Sequence, residues 1–138
     1  LGNPSKITST AVLTDKGVDA QTSMIFDYAS GAQAVLNTTM IEQTPCRAVV
    51  AGLNGWLEID RTFYNPASMR VILNDGSVTE YPSSYQGHGL REQAEVFKQL
   101  VSSGEKQSQI LNWQDTVDIM KTLDQVRSQI GLKYPFEL

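Results

Sequence analysis

The apolar and polar positions of Thr22–Tyr28 alternate, which is the pattern of a strand that buries one face. Other stretches between residues 6 and 81 are rich in β-forming residues, and turn-forming Gly, Asn and Asp residues separate them. The pair Asn54-Gly55 predicts a hairpin with a type I′ turn, in which both residues have positive φ. Neighbouring strands joined by tight turns form an antiparallel sheet. The predicted strands are Lys6–Thr14, Thr22–Tyr28, Ala32–Glu42, Arg47–Ala51, Trp56–Asp60, Met69–Leu73 and Val78–Tyr81.

Apolar residues then recur at helical spacing in the last third of the chain. Gly104 is predicted to end the first helix, while Asn112 with Asp115 caps the second, which ends at Gly131. Strands followed by helices predict an α+β fold, an open, mostly antiparallel β-sheet with two C-terminal helices packed on one face. The apolar positions are Leu90, Ala94, Phe97, Leu100 and Val101 in the first helix, and Ile119, Leu123, Val126 and Ile130 in the second.

The two faces of the predicted sheet differ in character. One carries Met24, Phe26 and Tyr28, which suits a core covered by the helices. The other is too apolar to face water alone and too polar to be fully buried, so a partner subunit or a ligand would suit it. This mixed face comprises Ile25, Val35, Val49, Asn37, Thr39 and Arg47.

The composition of the 138 residues, 41% hydrophobic and 19% charged, is typical of a single soluble globular domain. The formal net charge is −4 and the 11 Lys and Arg residues are scattered singly, which argues against nucleic-acid binding. No apolar run is long enough to span a membrane, and no signal segment opens the chain. Because it begins with Leu1 rather than Met, we expect the chain to be a piece of a longer protein.

Cys46 is the only cysteine and His88 the only histidine. A single thiol cannot form an internal disulfide, and we interpret it as a buried, inert group. A zinc-type site needs several Cys or His ligands close together, so no metal ligand is predicted. An unpaired cysteine is typical of a reducing compartment and favours a cytoplasmic protein.

His88 lies between Gly87 and Gly89, at the predicted entry to the first helix. It is either a substrate hydrogen-bond partner or acid/base group at a helix N-terminus, or a loop residue tolerated between two glycines. The two glycines do not form a dinucleotide fingerprint. The third glycine, the preceding βα unit and the downstream acidic residue are all missing.

Polar and aromatic loop residues elsewhere are of the kind that lines a pocket for a hydroxyl-rich substrate. They are Tyr64, Asn65, Tyr85 and Gln86. Ordinary loop packing is the simpler explanation for each of them. The predicted substrate-binding residues are therefore His88, Tyr85, Tyr64 and Asn65, with the loop interpretation left open.

The acidic residues form no complete catalytic set. Asp19 follows a turn-forming glycine, where a carboxylate more often closes the turn than reacts. Glu58 and Asp60 share one face of a strand but have no histidine near them in the sequence, so we interpret them as a solvated edge. Trp56 and Trp113 are interpreted as core or interface anchors. No P-loop or Gly-x-Ser-x-Gly element occurs, and no catalytic or cofactor-binding residue is predicted in this chain.

Several short motifs follow one another in a specific order and spacing. They are Leu1-Gly2-Asn3-Pro4, Gly17-Val18-Asp19, Tyr28-x-x-Gly31-x-x-Ala34, Gly52-x-x-Gly55-x-Leu57-x-Ile59, Gly87–Val96 and Tyr134-Pro135-Phe136. In this order they resemble the C-terminal domain of the Gfo/Idh/MocA family of NAD(P)-dependent oxidoreductases over nearly the whole chain. The closing motif is most similar to the dihydrodiol and xylose dehydrogenase-like branch.

The resemblance implies that residues 1–138 are a single C-terminal domain for substrate binding and oligomerisation. Its fold would be like the C-terminal domains of dihydrodipicolinate reductase and glyceraldehyde-3-phosphate dehydrogenase. An N-terminal Rossmann domain, absent from this chain, would hold NAD or NADP and the catalytic lysine. The substrate would be a sugar, polyol or related hydroxyl compound, and a second copy would meet the sheet face. By itself the chain would bind no cofactor and would be inactive.

Two other functions remain open at this point. One is a stand-alone, non-catalytic α+β module that dimerises through its sheet and binds a small ligand or protein. The other is a small isomerase or hydrolase. That function would require His88 within hydrogen-bond reach of an Asp or Glu in a deep apolar pocket.

Overall fold

The computed structural model describes residues 1–65, 68–85 and 87–134. The chain divides into two compact units, Leu1–Gln43 with Gln107–Leu138, and Thr44–Lys106. The elements are β1 (Lys6–Leu13), β2 (Asp19–Asp27), β3 (Gln33–Thr39), β4 (Ala48–Gly52), β5 (Gly55–Ile59), β6 (Met69–Leu73), β7 (Val78–Tyr81), α1 (Leu90–Ser102) and α2 (Trp113–Ile130).

The first unit is built on a three-stranded antiparallel sheet in the order β1-β2-β3. The predicted alternation is confirmed on β2, where Thr22 is buried and Met24 half-buried while Ser23 and Ile25 are exposed. β2 begins earlier than predicted, because Leu13 pairs with Asp19 across an irregularity in the register. β3 is shorter at both ends than the predicted strand.

The core of the first unit forms where α2 lies against β1. Met24 shares a cavity with side chains of α2, which confirms the prediction that its face of the sheet is covered by a helix. The hydroxyl-bearing Thr22 on the same face is 2% exposed. The buried apolar residues are Ile7, Ala20, Val126 and Leu132.

The Gln129 side chain of α2 forms hydrogen bonds with the outer edge of β1. The Oε1 atom of Gln129 accepts hydrogen bonds from the Ser9 N–H and the Ser9 hydroxyl, both at 2.8 Å. Its Nε2 atom donates to the Ile7 carbonyl oxygen at 2.8 Å. A primary amide carries the same donor and acceptor as a peptide unit. Gln129 therefore pairs with the edge of β1 as a further strand would.

Both ends of α2 follow the sequence prediction. The Asp115 N–H donates to Asn112 Oδ1 at 3.0 Å, and the Asn112 N–H donates to Asp115 Oδ2 at 3.1 Å. This reciprocal pair is a capping box, which satisfies backbone N–H groups that have no partner within the helix. Gly131 ends the helix with φ 72°, the left-handed conformation that favours glycine.

The second unit contains a four-stranded antiparallel sheet in the order β4-β5-β6-β7. β6 and β7 have their predicted bounds, and β4 and β5 lie within one residue of theirs. The prediction of a type I′ turn at Asn54-Gly55 is wrong. Gly52 pairs with Gly55 and encloses Leu53 and Asn54, and Asn54 does not have a positive φ.

Gly55 is required by the neighbouring strand rather than by the turn. It belongs to β5, with φ 153°, and a Cβ atom there would overlap the carbonyl oxygen of Ile72 on β6. The turn itself is held by Asn74. Its Nδ2 atom donates to the Leu53 carbonyl oxygen at 2.8 Å, and its N–H donates to the Asn54 carbonyl oxygen at 3.0 Å.

The α+β class and the antiparallel pairing are confirmed, but the strands form two hydrogen-bonded sheets instead of one. The segment between β3 and β4 explains the break. Pro45 has no N–H to donate to a ladder, and Cys46 has φ 53°, outside the range of an extended strand. α2 lies against β1 in the first unit, and α1 belongs to the second unit.

Candidate functional site

The first unit contains a cavity of about 450 Å³ between the inner face of its sheet and α2. Thr22, Met24 and Thr38 line it from the sheet. Met120 and Leu123 line it from α2 and remain 52% and 47% exposed. The cavity therefore has mainly apolar walls that solvent reaches.

Polar groups at this cavity are arranged in two clusters. The Thr22 hydroxyl donates to Asp19 Oδ2 at 3.2 Å. Arg127 Nη2 donates to Asp124 Oδ1 at 2.6 Å, and the Arg127 guanidinium lies 5.0 Å from the centroid of the Tyr134 ring. The lining thus combines two carboxylates, one guanidinium, hydroxyl groups and an aromatic ring.

The cavity is suited to binding a small ligand. Its volume lies within the range of roughly 300–1,000 Å³ that is usual for ligand pockets. Apolar walls supply affinity, and a few polar groups orient what is bound.

The four predicted substrate-binding residues all belong to the second unit. Tyr64 and Asn65 lie between β5 and β6, and Tyr85 and His88 lie between β7 and α1. Tyr64 is 76% exposed, and its ring meets Phe63 edge-on with the centroids 5.5 Å apart. The two described cavities are lined by other residues. Gln86 lies outside the described residues.

His88 is exposed at the entrance to α1. Gly87 and Gly89 on either side both have φ 76°, and Gly89 is the N-cap residue. In the described part of the chain, no hydrogen bond or ion pair joins His88 to an Asp or Glu. The isomerase or hydrolase interpretation requires such a pair and receives no support from these residues.

Glu58 on β5 takes part in a cross-strand ion pair. Arg70 on β6 donates to Glu58 Oε2 from Nε at 2.9 Å and from Nη2 at 2.7 Å. The Trp56 indole N–H donates to Glu58 Oε1 at 2.9 Å. The Trp56 hydrogen bond, followed by that of Arg70, holds the pKa of Glu58 below its ordinary value. The structural, non-catalytic interpretation of Glu58 agrees with this geometry.

Three further expectations from the sequence have mixed outcomes. Cys46 is partly buried rather than fully buried, because it lies in the segment before β4. Trp113 is 63% exposed at the first turn of α2, so it is not a core residue. Asp19, interpreted as a turn residue, lines the cavity of the first unit.

Sequence reasoning missed Arg127 as a cavity residue. Its pairing with Asp124 is visible as an i,i+3 charge pair on a predicted helix. The contact with Tyr134 is not visible, because it depends on the reversal at Gly131. There the Leu132 N–H donates to the Arg127 carbonyl oxygen at 3.0 Å. Helical periodicity carries no information about the path of the chain after the helix.

Residues 1–65, 68–85 and 87–134 contain no group of three or more Cys, His, Asp or Glu side chains that could hold a metal ion. Within these ranges neither helix combines the length and the apolar character needed to cross a membrane.

Comparison with curated proteins finds trans-1,2-dihydrobenzene-1,2-diol dehydrogenases. The protein from Xenopus tropicalis is 30% identical over 139 residues, which cover 96% of this chain and 42% of the relative. The protein from Sus scrofa is 23% identical, covering 96% of this chain and 41% of the relative. This chain therefore spans about two fifths of the length of the relatives it matches. No family model matches the chain.

Solved oxidoreductases share the fold. The aldose-aldose oxidoreductase of Caulobacter crescentus superposes with a TM-score of 0.76 at 18% identity, over 94% of this chain and 39% of the other. An oxidoreductase of Agrobacterium radiobacter, solved with NAD+, L-tartaric acid and magnesium, gives a TM-score of 0.68 at 14% identity, over 95% of this chain and 42% of the other. The chain is thus similar in sequence to part of the dihydrodiol dehydrogenases and shares its fold with part of these oxidoreductases.

The glycines before α1 do not form the phosphate-binding turn of a dinucleotide site. A phosphate-binding turn of that kind joins a strand to a helix within a βα unit and needs three spaced glycines. Here Gly87 and Gly89 precede α1 without a third glycine at the required spacing. The strand ahead of them, β7, is antiparallel to β6.

Proposed function

We propose that this chain is the substrate-binding and oligomerisation domain of an NAD(P)-dependent oxidoreductase that acts on a sugar, polyol or related hydroxyl compound. The observation that carries the proposal is the 30% identity to a dihydrodiol dehydrogenase across 96% of the chain. Hydride transfer would use the cofactor's own chemistry, with the protein supplying binding and orientation. The whole enzyme is proposed to work in the cytoplasm.

In this proposal NAD or NADP binds to an N-terminal Rossmann domain outside this chain. Residues 1–138 together form the C-terminal domain, and their two compact units are its parts. The assignment is supported by the glycines before α1, which do not have the spacing of a dinucleotide-binding turn. The catalytic lysine is likewise proposed to lie outside this chain.

Titration of NADH fluorescence tests where the cofactor binds. The 138-residue chain should show no saturable change, whereas a longer protein that includes the preceding region should bind NADH or NADPH and reduce NAD(P)+ with a polyol. Saturable binding of NADH by the 138 residues alone would refute the assignment of the cofactor to another domain.

The substrate wall is proposed to include His88, Tyr85, Tyr64 and Asn65. These side chains offer hydrogen-bonding groups on loops, where binding residues are commonly found. In the longer protein, His88→Ala should raise KM about tenfold, which is the loss expected for one hydrogen bond to substrate. Lys16→Ala, in the turn before β2, is the control and should leave KM unchanged. An unchanged KM in His88→Ala would remove this residue from the site.

A second copy is proposed to meet the outer face of the first sheet. Val35 on β3 is 75% exposed, and Ile25, its neighbour in the register, is 38% exposed. Apolar side chains of this kind on an open sheet favour contact with a like surface. Val35→Glu should shift the sedimentation coefficient of the longer protein to that of a monomer. Leu53→Glu, at a hairpin tip, should not. A monomeric unsubstituted protein would end the proposal.

A further inference from the structure

The hairpin between β4 and β5 has an asparagine at its tip, followed directly by a glycine. Gly52 pairs with Gly55, so Leu53 and Asn54 alone connect the two strands, and both are exposed to solvent. In the described part of the chain, no hydrogen bond holds the side-chain amide of Asn54. This amide is therefore reached by water and is free to turn toward the peptide unit that follows it.

That peptide unit supplies a nucleophile for the amide. Once it has lost its proton, the Gly55 nitrogen can attack Asn54 Cγ, and the new C–N bond closes a cyclic imide while the side-chain nitrogen leaves as ammonia. Water then opens the imide at either carbonyl group. One product is aspartate, and the other is isoaspartate, in which the main chain runs through the former side chain. The reaction consumes water, releases ammonia and needs no oxidant or reductant.

The strand packing keeps a glycine at the attacking position. Gly55 has no Cβ atom to hinder its nitrogen. A Cβ atom there would overlap the carbonyl oxygen of Ile72 on β6, so no other residue fits without a shift of the backbone. Gly55 also belongs to the last pair of the β4–β5 ladder, where strands open most readily. The second sheet therefore requires the residue that makes Asn54 reactive.

The other five asparagines of the chain are less able to react. Each is followed by proline or held by a hydrogen bond of its side chain. Asn3 and Asn65 precede prolines, whose nitrogen has no proton to lose. The asparagines held by side-chain hydrogen bonds are Asn37, Asn74 and Asn112.

The neighbouring hairpin contains an Asp75-Gly76 pair that could form the same imide but is constrained. Asp75 Oδ1 accepts the Ser77 N–H at 2.8 Å, and the Gly76 N–H donates to the Leu73 carbonyl oxygen at 2.9 Å. The hydrogen bonds from Ser77 hold the pKa of Asp75 below its ordinary value. Its carboxyl group therefore stays ionised, and a carboxylate resists attack by a nucleophile. Both groups needed for ring closure are engaged in this hairpin.

We propose that Asn54 is a deamidation site, where the Gly55 nitrogen converts the side-chain amide to aspartate or isoaspartate and the isoaspartate loosens the β4–β5 hairpin. Isoaspartate lengthens the connection between the strands by one main-chain carbon. It also moves out of the main chain the carbonyl group that accepts the Asn74 N–H at 3.0 Å. The turn loses this anchor next to the close approach of Gly55 and Ile72. The proposal does not depend on the proposed function.

Ageing of the 138-residue chain at mildly alkaline pH, followed by peptide mapping with mass spectrometry, tests the site. Asn54 should be converted about tenfold faster than Asn74, because Asn74 must first break its hydrogen bond and precedes a residue that has a Cβ atom. The rate should rise with hydroxide concentration, since the Gly55 nitrogen must lose its proton. Equal conversion of the two asparagines would overturn the proposal, and so would conversion of Asn54 only in the urea-unfolded chain.

Enzymatic labelling of the aged chain identifies the product. A protein isoaspartate methyltransferase should label the peptide that contains position 54. Asn54→Gln should abolish this label, because the longer side chain closes a ring less readily. Asn37→Gln, an exposed asparagine of the first unit, is the matched control and should keep the label. Absence of label at position 54 in the aged parent would overturn the proposal.

The fluorescence of Trp56, the residue after Gly55, measures the loosening. In a Trp113→Phe protein, where Trp56 is the only tryptophan, the isoaspartate form should have a urea midpoint lower by about 0.5 M, as expected for the loss of one hydrogen bond. Asn54→Asp carries the charge of the product without the longer main chain, so its midpoint should stay close to that of the fresh protein. Equal midpoints for the fresh and isoaspartate forms would overturn the proposal.

Discussion

Removing the Gln129 amide should selectively weaken the first unit. Gln129→Ala deletes three hydrogen bonds to the edge of β1, each 2.8 Å long, and exposes the Ile7 carbonyl and the Ser9 N–H. A net contribution of about 1 kcal/mol per bond sets an upper limit near 3 kcal/mol. Two of the bonds share one acceptor and water reaches part of the site, so the expected loss is about 2 kcal/mol.

Urea denaturation measures this loss, and the two tryptophans separate the two units. Trp113 lies in the first unit and Trp56 in the second. Trp56→Phe therefore leaves a protein whose fluorescence reports on the first unit. With a slope of about 2 kcal/mol per molar urea, a 2 kcal/mol loss lowers the midpoint by about 1 M.

The matched control is Gln125→Ala, an exposed glutamine one turn earlier on α2. Since alanine has the higher helix propensity, this change should leave the midpoint unchanged or raise it slightly. In the complementary Trp113→Phe protein, Gln129→Ala should not shift the Trp56 transition. Equal urea midpoints for Gln129→Ala and the parent would refute the inference that the Gln129 amide stabilises the edge of β1. An equally lowered midpoint in Gln125→Ala would refute it as well.

Three further predictions concern stability. Gly55→Ala should destabilise the second unit by more than about 1 kcal/mol in urea titrations, because a Cβ atom meets the backbone of β6, whereas Gly52→Ala, with only ordinary contacts, should cost less. Asn112→Ala should lose about 1 kcal/mol of first-unit stability by removing the cap of α2, and Asn112→Asp, which keeps an acceptor oxygen, should recover most of it. The lowered pKa of Glu58 means that the folded state favours its carboxylate, so its stabilising effect is present above the ordinary value of 4.5 and is lost as pH falls through the folded pKa. Glu58→Gln should make the free energy of unfolding of the second unit less dependent on pH in the acid range. An unchanged pH dependence would show that the ion pair with Arg70 does not contribute.

Short-range signals predicted the elements of this chain well. The capping box at Asn112 and the glycine at position 131 depend on neighbours within a few residues, and both ends of α2 were predicted correctly. The bounds of β6 and β7 agree with the prediction for the same reason, since the turn-forming residues Asn74-Asp75-Gly76 between two short strands define that hairpin locally.

Features that depend on distant partners were not predictable in this way. The sequence predicts a turn at Gly55 because Asn-Gly is a strong turn signal. Its actual constraint is a carbonyl group on β6, many residues later. The bonds of Gln129 to β1 cross more than a hundred positions of sequence. Nothing in the periodicity of α2 distinguishes Gln129 from Gln125, since both are polar residues of one helix.

The helices show most clearly what hydrophobic periodicity omits. It identifies the apolar side of a helix but not the surface that covers it. The stripe of α1 was expected to pack on a sheet, yet Leu90 is 70% exposed, Phe97 67% and Val101 61%. Exposed apolar surfaces of this kind commonly mark contact sites. Helical periodicity locates such a surface on α1 but does not say what meets it.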